Sequence, residues 1–204
     1  MTVLRPLLTF FLYAILAVAA QNAIFTRALG VSRLVKMVED GSVELLKFGL
    51  LLTLIQLLSS VPGYYANRLL MGSSFAYKAA FQPVVLVLCS ILAFFIVLLG
   101  IVLLGGKIAA KDYVELLPIA TFNCCVLGTL LLTTTGGYTL LQTLAFSLGS
   151  SVGYVLAVLV VNEGQRKIQS RSLPTAFRGL PITLIYIGIL ALAIYGFTGH
   201  TPAI

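Results

Sequence analysis

The sequence contains no tryptophan, a single histidine (His200) and three cysteines, and charged residues make up only 9% of its 204 positions. Each shortage excludes something. A water-soluble domain carries about a quarter of its residues as charges, so a chain this poor in them is wetted by lipid. One histidine cannot build a histidine-rich metal site. Cys89, Cys124 and Cys125 cannot form a disulfide framework. Neighbouring Cα atoms, about 3.8 Å apart, also fall short of ordinary disulfide spacing, which disfavours a Cys124–Cys125 bridge. Gly-rich nucleotide loops and nucleophile motifs are missing. Without Trp, anchoring at the membrane surface falls to nine Tyr and twelve Phe.

What is abundant is apolar. Hydrophobic residues are 60% of the chain and the mean hydropathy is +1.09. Six apolar runs cover Val3–Arg27, Val43–Val61, Pro83–Leu104, Leu116–Thr134, Tyr138–Val161 and Leu180–Phe197, each near the roughly 20 residues a bilayer crossing requires. The first follows Arg5 and ends with a mimic of a cleavage site, Ala17-Val18-Ala19. Plausible helix continues to Leu29 and five further runs follow, so it reads as a first span or signal-anchor. Pro62-Gly63 signals a turn, Tyr64–Gln82 reads as interfacial, and Thr135-Gly136-Gly137 reads as a tight turn. The expected fold class is an all-α integral membrane protein with six transmembrane helices.

The net charge of +7 does not indicate nucleic-acid binding, because the thirteen basic residues form neither stripe nor tail. They read as a topology code. Arg27, Arg33, Lys36, Lys47, Lys107, Lys111, Arg166, Lys167, Arg171 and Arg178 fall on connections one–two, three–four and five–six, against Arg5, Arg68 and Lys78 on the other side. Ten against three places the odd connections in the cytoplasm and both termini outside.

The first and fourth runs carry polar interruptions. Ala20-Gln21-Asn22-Ala23-Ile24 is echoed half a chain later by Thr121-Phe122-Asn123-Cys124-Cys125, and each Asn is followed by a Leu-Gly pair, Leu29-Gly30 and Leu127-Gly128. Three spans per half reverse direction, so a single membrane domain with halves of about 1–105 and 106–204 reads as two inverted three-helix repeats. In such folds, interrupted helices meet near the midplane and form the site. Asn22 and Asn123 are therefore candidates, against the plainer reading of interhelical hydrogen bonding worth about 1 kcal/mol or less. Cys124 and Cys125 sit beside one of them; a buried Cys is by default a small hydrophobe. Iron ligation takes more thiolates than this chain gathers in one place, so a metal centre would be shared with a partner chain. Glu44, Asp112, Glu115 and Glu163 lie near span ends, and Glu39 and Asp40 lie in a loop, which argues against an ion path of buried carboxylates. His200 reads as solvated. Gly149 and Gly153 have the spacing of close helix packing.

Leu117-Pro118-Ile119-Ala120-Thr121-Phe122-Asn123-Cys124-Cys125-Val126-Leu127-Gly128 resembles the LP-x-x-T-x-NC-x-x-LG segment of the Rnf/Nqr membrane-subunit family, the six-span subunits of ion-pumping ferredoxin:NAD and NADH:quinone oxidoreductases. Leu173-Pro174-Thr175-Ala176-Phe177-Arg178-Gly179, and the terminal Tyr195-Gly196-Phe197-Thr198-Gly199, are similar to its P-x-x-FRG and GFSG segments. Asn22 to Gly30 is a weaker match. The C-terminal segments and outside termini look most like the RnfA/NqrE type. The resemblance implies a multi-pass subunit in a bacterial or archaeal cell membrane, within a redox-driven ion-translocating electron transport complex and packed against a homologous six-helix subunit. It implies a 2Fe-2S cluster shared between the two, with Cys124 as metal ligand, Asn123 and Cys125 as further cofactor-binding candidates and Asn22 in support. Flavin and NAD would belong to other subunits, so this chain would be a translocase component without catalysis of its own. The family's first-half cysteine lies in a GLCP segment, where this chain reads Gly30-Val31-Ser32-Arg33. That departure supports an alternative: a diverged paralogue without the iron-sulfur centre, acting as a small transporter or a structural subunit.

Overall fold

The computed structural model describes residues 4–40, 45–74, 76–104, 109–168, 174 and 177–198. His200, Gly199, Lys107 and Arg171 lie outside the described residues. Among the described residues the chain forms eight helices and no strand: α1 (Leu4–Val18), α2 (Val31–Asp40), α3 (Leu45–Gly72), α4 (Lys78–Leu104), α5 (Ala109–Thr121), α6 (Cys124–Thr135), α7 (Leu140–Ile168) and α8 (Leu180–Thr198). Three of them, α3, α4 and α7, are long and apolar enough to cross a membrane. The α5–α6 pair passes the same test as one span bent by 43°, and α1 and α8 are shorter apolar helices. Apolar side chains cover the outside: Leu8, Leu12 and Ile15 of α1, Leu92, Phe95 and Leu99 of α4, and Ile189 and Leu192 of α8 are all exposed. Lipid is the solvent that makes such a surface favourable.

Helix directions follow from residue pairings. On α7, Gly149 and Gly153 let α1 lie directly against the backbone, the first facing Ala14 and the second Val18 and Asn22. A Cβ at Gly149 would meet the Ala14 carbonyl, so the small-residue spacing does what it implies. The two pairs rise together, so α1 and α7 run parallel. Against α3, Gly49 meets Val155 and the Thr53 hydroxyl donates to Ser151 Oγ at 3.0 Å, an antiparallel pairing. Gln56 of α3 reaches Cys125 and Thr129 of α6 while Gly63 fits beside Leu130, so α3 and α6 run parallel. Thus α1 runs alongside α7, and α6 alongside α3.

The turn expected at Pro62-Gly63 does not occur: α3 runs through it to Gly72. Proline removes one N–H and crowds the preceding turn, but such a break is tolerated where neighbouring helices and Ser side chains re-satisfy the backbone. Ser59 and Ser60 bond back to the Gln56 and Leu57 carbonyls, not to the Leu58 carbonyl that loses its N–H to Pro62, and a Cβ at Gly63 would lie 3.2 Å from Leu130 and 3.5 Å from Leu86. Packing on α4 and α6 holds the helix through the proline. The connection after the first run contains an unanticipated helix, α2, whose Leu34, Val35 and Met37 are buried in the core while Arg33 and Lys36 face a cavity.

Candidate functional site at the two helix breaks

Both interrupted runs break at their asparagine. In the first half, α1 stops at Val18 and no regular helix resumes until Val31. Asn22 Oδ1 accepts the N–H of Ile24 at 2.9 Å and of Phe25 at 3.3 Å; its Nδ2 donates to the carbonyls of Val18 at 2.9 Å and Gly153 at 3.1 Å. The intervening turn leaves through Ala28 and Gly30, both at positive φ. In the second half the break is two residues long. Asn123 is the N-cap of α6, with its Oδ1 accepting the Cys125 N–H at 2.9 Å. Asn is among the best N-cap residues because its short side chain reaches the free N–H groups of the first turn. The same residue type therefore serves the same end at both breaks.

The two breaks meet. Leu29 packs on Gly128, so the Leu-Gly echoes of the two halves touch. Gly30 sits so tightly that a Cβ there would lie 2.6 Å from Asn123 Oδ1 and 2.8 Å from the Tyr154 ring, and the Tyr154 hydroxyl donates to the Gly30 carbonyl at 3.1 Å. Asn22 and Asn123 are thus joined through consecutive residues of α7, Gly153 and Tyr154. Gly30 satisfies both the φ of +80° and the lack of space.

A cavity of about 500 Å³ opens beside this junction, lined by Gly30, Ser32, Arg33, Lys36, Pro118, Ile119, Phe122, Asn123 and Cys124. The two cysteines part company here. Cys124 is exposed and lines the cavity. Cys125, about 100° further round the helix, is buried and receives Gln56 Nε2 at 3.2 Å. It belongs to a polar seam between α3, α6 and α7 that includes Thr129 and Ser150, 2.8 Å apart. Cys89 is a buried residue of α4 away from this cavity. The structure thus brings Asn123 and Cys124 together on the cavity, links Asn22 to them through α7, and sends Cys125 into the core.

Ser32, in the position of the first-half cysteine of the resembling family, faces the same cavity as Cys124. A two-iron two-sulfur cluster takes four thiolates, two from each chain if shared equally. One thiol lines this cavity, and no cluster of three or more His, Cys, Asp or Glu exists among the described residues. The donors present do not fit an equal share.

Arg33, Lys36 and Tyr154 were not singled out as site residues from the sequence. The alternation of Val31, Leu34, Val35 and Val38 with Arg33 and Lys36 is a helical signal that would have placed both cations on one face. Tyr154, inside an apolar run, carries no such signal. Arg27, grouped by sequence with the cytoplasmic charges, lies near enough to the Tyr138 side chain to act on it electrostatically. Tyr138 titrates above its usual range, through burial first and the neighbouring Tyr13 second, with Arg27 opposing.

A family profile described as Rnf-Nqr subunit, membrane protein, matches residues 10–201. The chain belongs to the Rnf-Nqr membrane-subunit family. It is 43% identical over 86 residues to the A-type subunit of the ion-translocating oxidoreductase complex of Syntrophotalea carbinolica, spanning 42% of this chain and 45% of that one. It is 26% identical over 202 residues to the A-type subunit of the Na(+)-translocating ferredoxin:NAD(+) oxidoreductase complex of Acetobacterium woodii, spanning 94% and 98% of the two. With the corresponding A-type protein of the ion-translocating oxidoreductase complex of Serratia proteamaculans it shares 28% identity over 158 residues, 74% of this chain and 77% of that relative. As a member of this family the chain is a multi-pass membrane protein.

Proposed function

We propose that this chain is the A-type membrane subunit of an ion-translocating electron transport complex, crossing the membrane six times as two inverted three-helix repeats with both termini outside. The parallel pairing of α1 with α7 and of α6 with α3, each across the halves, supports the inverted arrangement, since a six-span alternation requires those directions. The ten-to-three bias of the basic residues supports the outside placement of both termini.

The observation that carries the functional reading is Cys124, an exposed thiol on an open cavity at the junction of the two breaks. That is where a homologous six-helix subunit would pack and where an electron carrier would be shared. Cys124 would supply one ligand to such a cluster, with Asn123 shaping the backbone around it and the partner providing the other thiolates. Flavin and NAD would be held by other subunits of the complex. Iron analysis and electron paramagnetic resonance on the purified complex test this. A signal lost in Cys124→Ala, with assembly unchanged, is the expected result. An iron-free complex that transfers electrons equally well with Cys124→Ala would overturn it. Ser32 on the cavity wall in place of a second thiol favours a second reading, a paralogue that has lost the metal centre and serves as a small transporter or a structural subunit.

A further inference from the structure

We propose that the cavity between α2 and the α5–α6 break binds a phosphate-type oxyanion. Its polar wall is made of donors: the Arg33 guanidinium, the Lys36 ammonium, the Ser32 hydroxyl and the Asn123 amide. No carboxylate lines it among the residues whose side chains are described. Arg33 and Lys36 stand three residues apart on one helix, where like charges repel. Asn123 is only 5% exposed, yet its Nδ2 makes no hydrogen bond of ordinary geometry although the Tyr154 side chain lies beside it, and the buried Nε of Arg33 makes none either. The amide cannot be reversed to remove the problem, because Oδ1 is committed to the Cys125 N–H. A buried donor left unpaired is costly, and the two neighbouring like charges add to that cost. An oxyanion relieves all three at once: a guanidinium meets phosphate oxygens through paired N–H groups, and lysine adds a point charge. Pro118, Ile119 and Phe122 form the apolar remainder of the wall, so either inorganic phosphate or the phosphodiester of a lipid headgroup has the required chemistry. Oxyanion binding goes beyond membership of the complex and needs no iron.

The test uses the full chain in phosphatidylcholine nanodiscs. Thermal unfolding is followed with inorganic phosphate against chloride at equal ionic strength, and in parallel discs containing phosphatidylglycerol. Binding to the folded state alone raises Tm by several degrees at saturation. A rise with inorganic phosphate assigns a soluble anion; a rise only with phosphatidylglycerol assigns a headgroup. Arg33→Gln abolishes the rise, and so does Asn123→Asp, which keeps the capping oxygen while a carboxylate takes the anion's place. Should Arg33→Gln not fold, the exposed Lys36→Gln weakens binding about tenfold, the equivalent of about 1.4 kcal/mol. Cys124→Ser retains the rise. The proposal is overturned if neither probe moves Tm, if the rise survives in Arg33→Gln and Asn123→Asp, or if it disappears with Cys124→Ser. Iron is not read in this experiment, so its failure leaves the place of the chain in the complex standing.

Discussion

Asn22 and Asn123 stand at the breaks of the first and fourth apolar runs, yet they are not equally satisfied. Asn22 uses both ends of its amide, taking two backbone N–H groups and giving to two carbonyls, one of them on α7. Asn123 caps α6 with its oxygen, and its nitrogen makes no hydrogen bond of ordinary geometry. The first break is long, folded back on itself and closed by Gly30. The second is short and opens on a cavity with an exposed thiol. Two breaks capped by the same residue type need not serve the same use. The first ties its turn to α7, and the second leaves its amide nitrogen beside the cavity.

The sharpest way to break this comparison is Gly30→Ala. The new methyl meets Asn123 and the Tyr154 ring, and the backbone must hold φ at +80°, so unfolding in mixed micelles should show a loss of about 2–4 kcal/mol. Gly137→Ala is the control: its φ is also positive, but nothing lies within 4 Å, and the loss should stay near 1–2 kcal/mol. Equal losses would mean that the breaks do not interlock.

Next comes the pair Asn22→Leu and Asn123→Leu. Removing Asn22 strands buried N–H and carbonyl groups and should cost about 2–3 kcal/mol. The loss of a single cap contact at Asn123 should cost about 1 kcal/mol. The order of the two stabilities, read by the same unfolding assay, decides whether the breaks differ as described.

The smallest energetic effects fall on the cavity thiol. Cys124→Ala should change stability by less than about 0.5 kcal/mol. Maleimide should label Cys124 at least about tenfold faster than Cys125 or Cys89, since thiol reactivity follows access. A bifunctional maleimide should join Ser32→Cys to Cys124 and leave Cys125 unmodified. Cross-linking to Cys125 instead would reverse the assignment of the two cysteines.

Much of this arrangement was legible in the sequence because lipid imposes simple rules. Apolar runs set α3, α4, α7 and α8 in their places, though α3 and α7 extend well past the C-terminal ends of their runs, and the two polar interruptions marked both breaks. The meeting of Leu29 with Gly128 was foreshadowed by the repeated Leu-Gly pair. Other features depended on tertiary contact. Pro62-Gly63 carries the local signature of a turn, and only Leu130 and Leu86 packed beside Gly63 explain why the helix continues. Arg33 and Lys36 looked like loop charges until α2 placed them on one wall. Tyr154 lies in an otherwise apolar run, and nothing in its neighbours shows that it reaches the Gly30 carbonyl.

The asymmetry between the breaks is tested most directly by Asn123→Asp in the intact complex, with stability and electron transfer measured on the same preparation. The capping oxygen survives and the free donor is lost. Assembly and stability within about 1 kcal/mol of the unmodified complex, with electron transfer reduced at least about tenfold, is the predicted result. Undiminished electron transfer, or a loss of activity that merely tracks a loss of assembly, would contradict it.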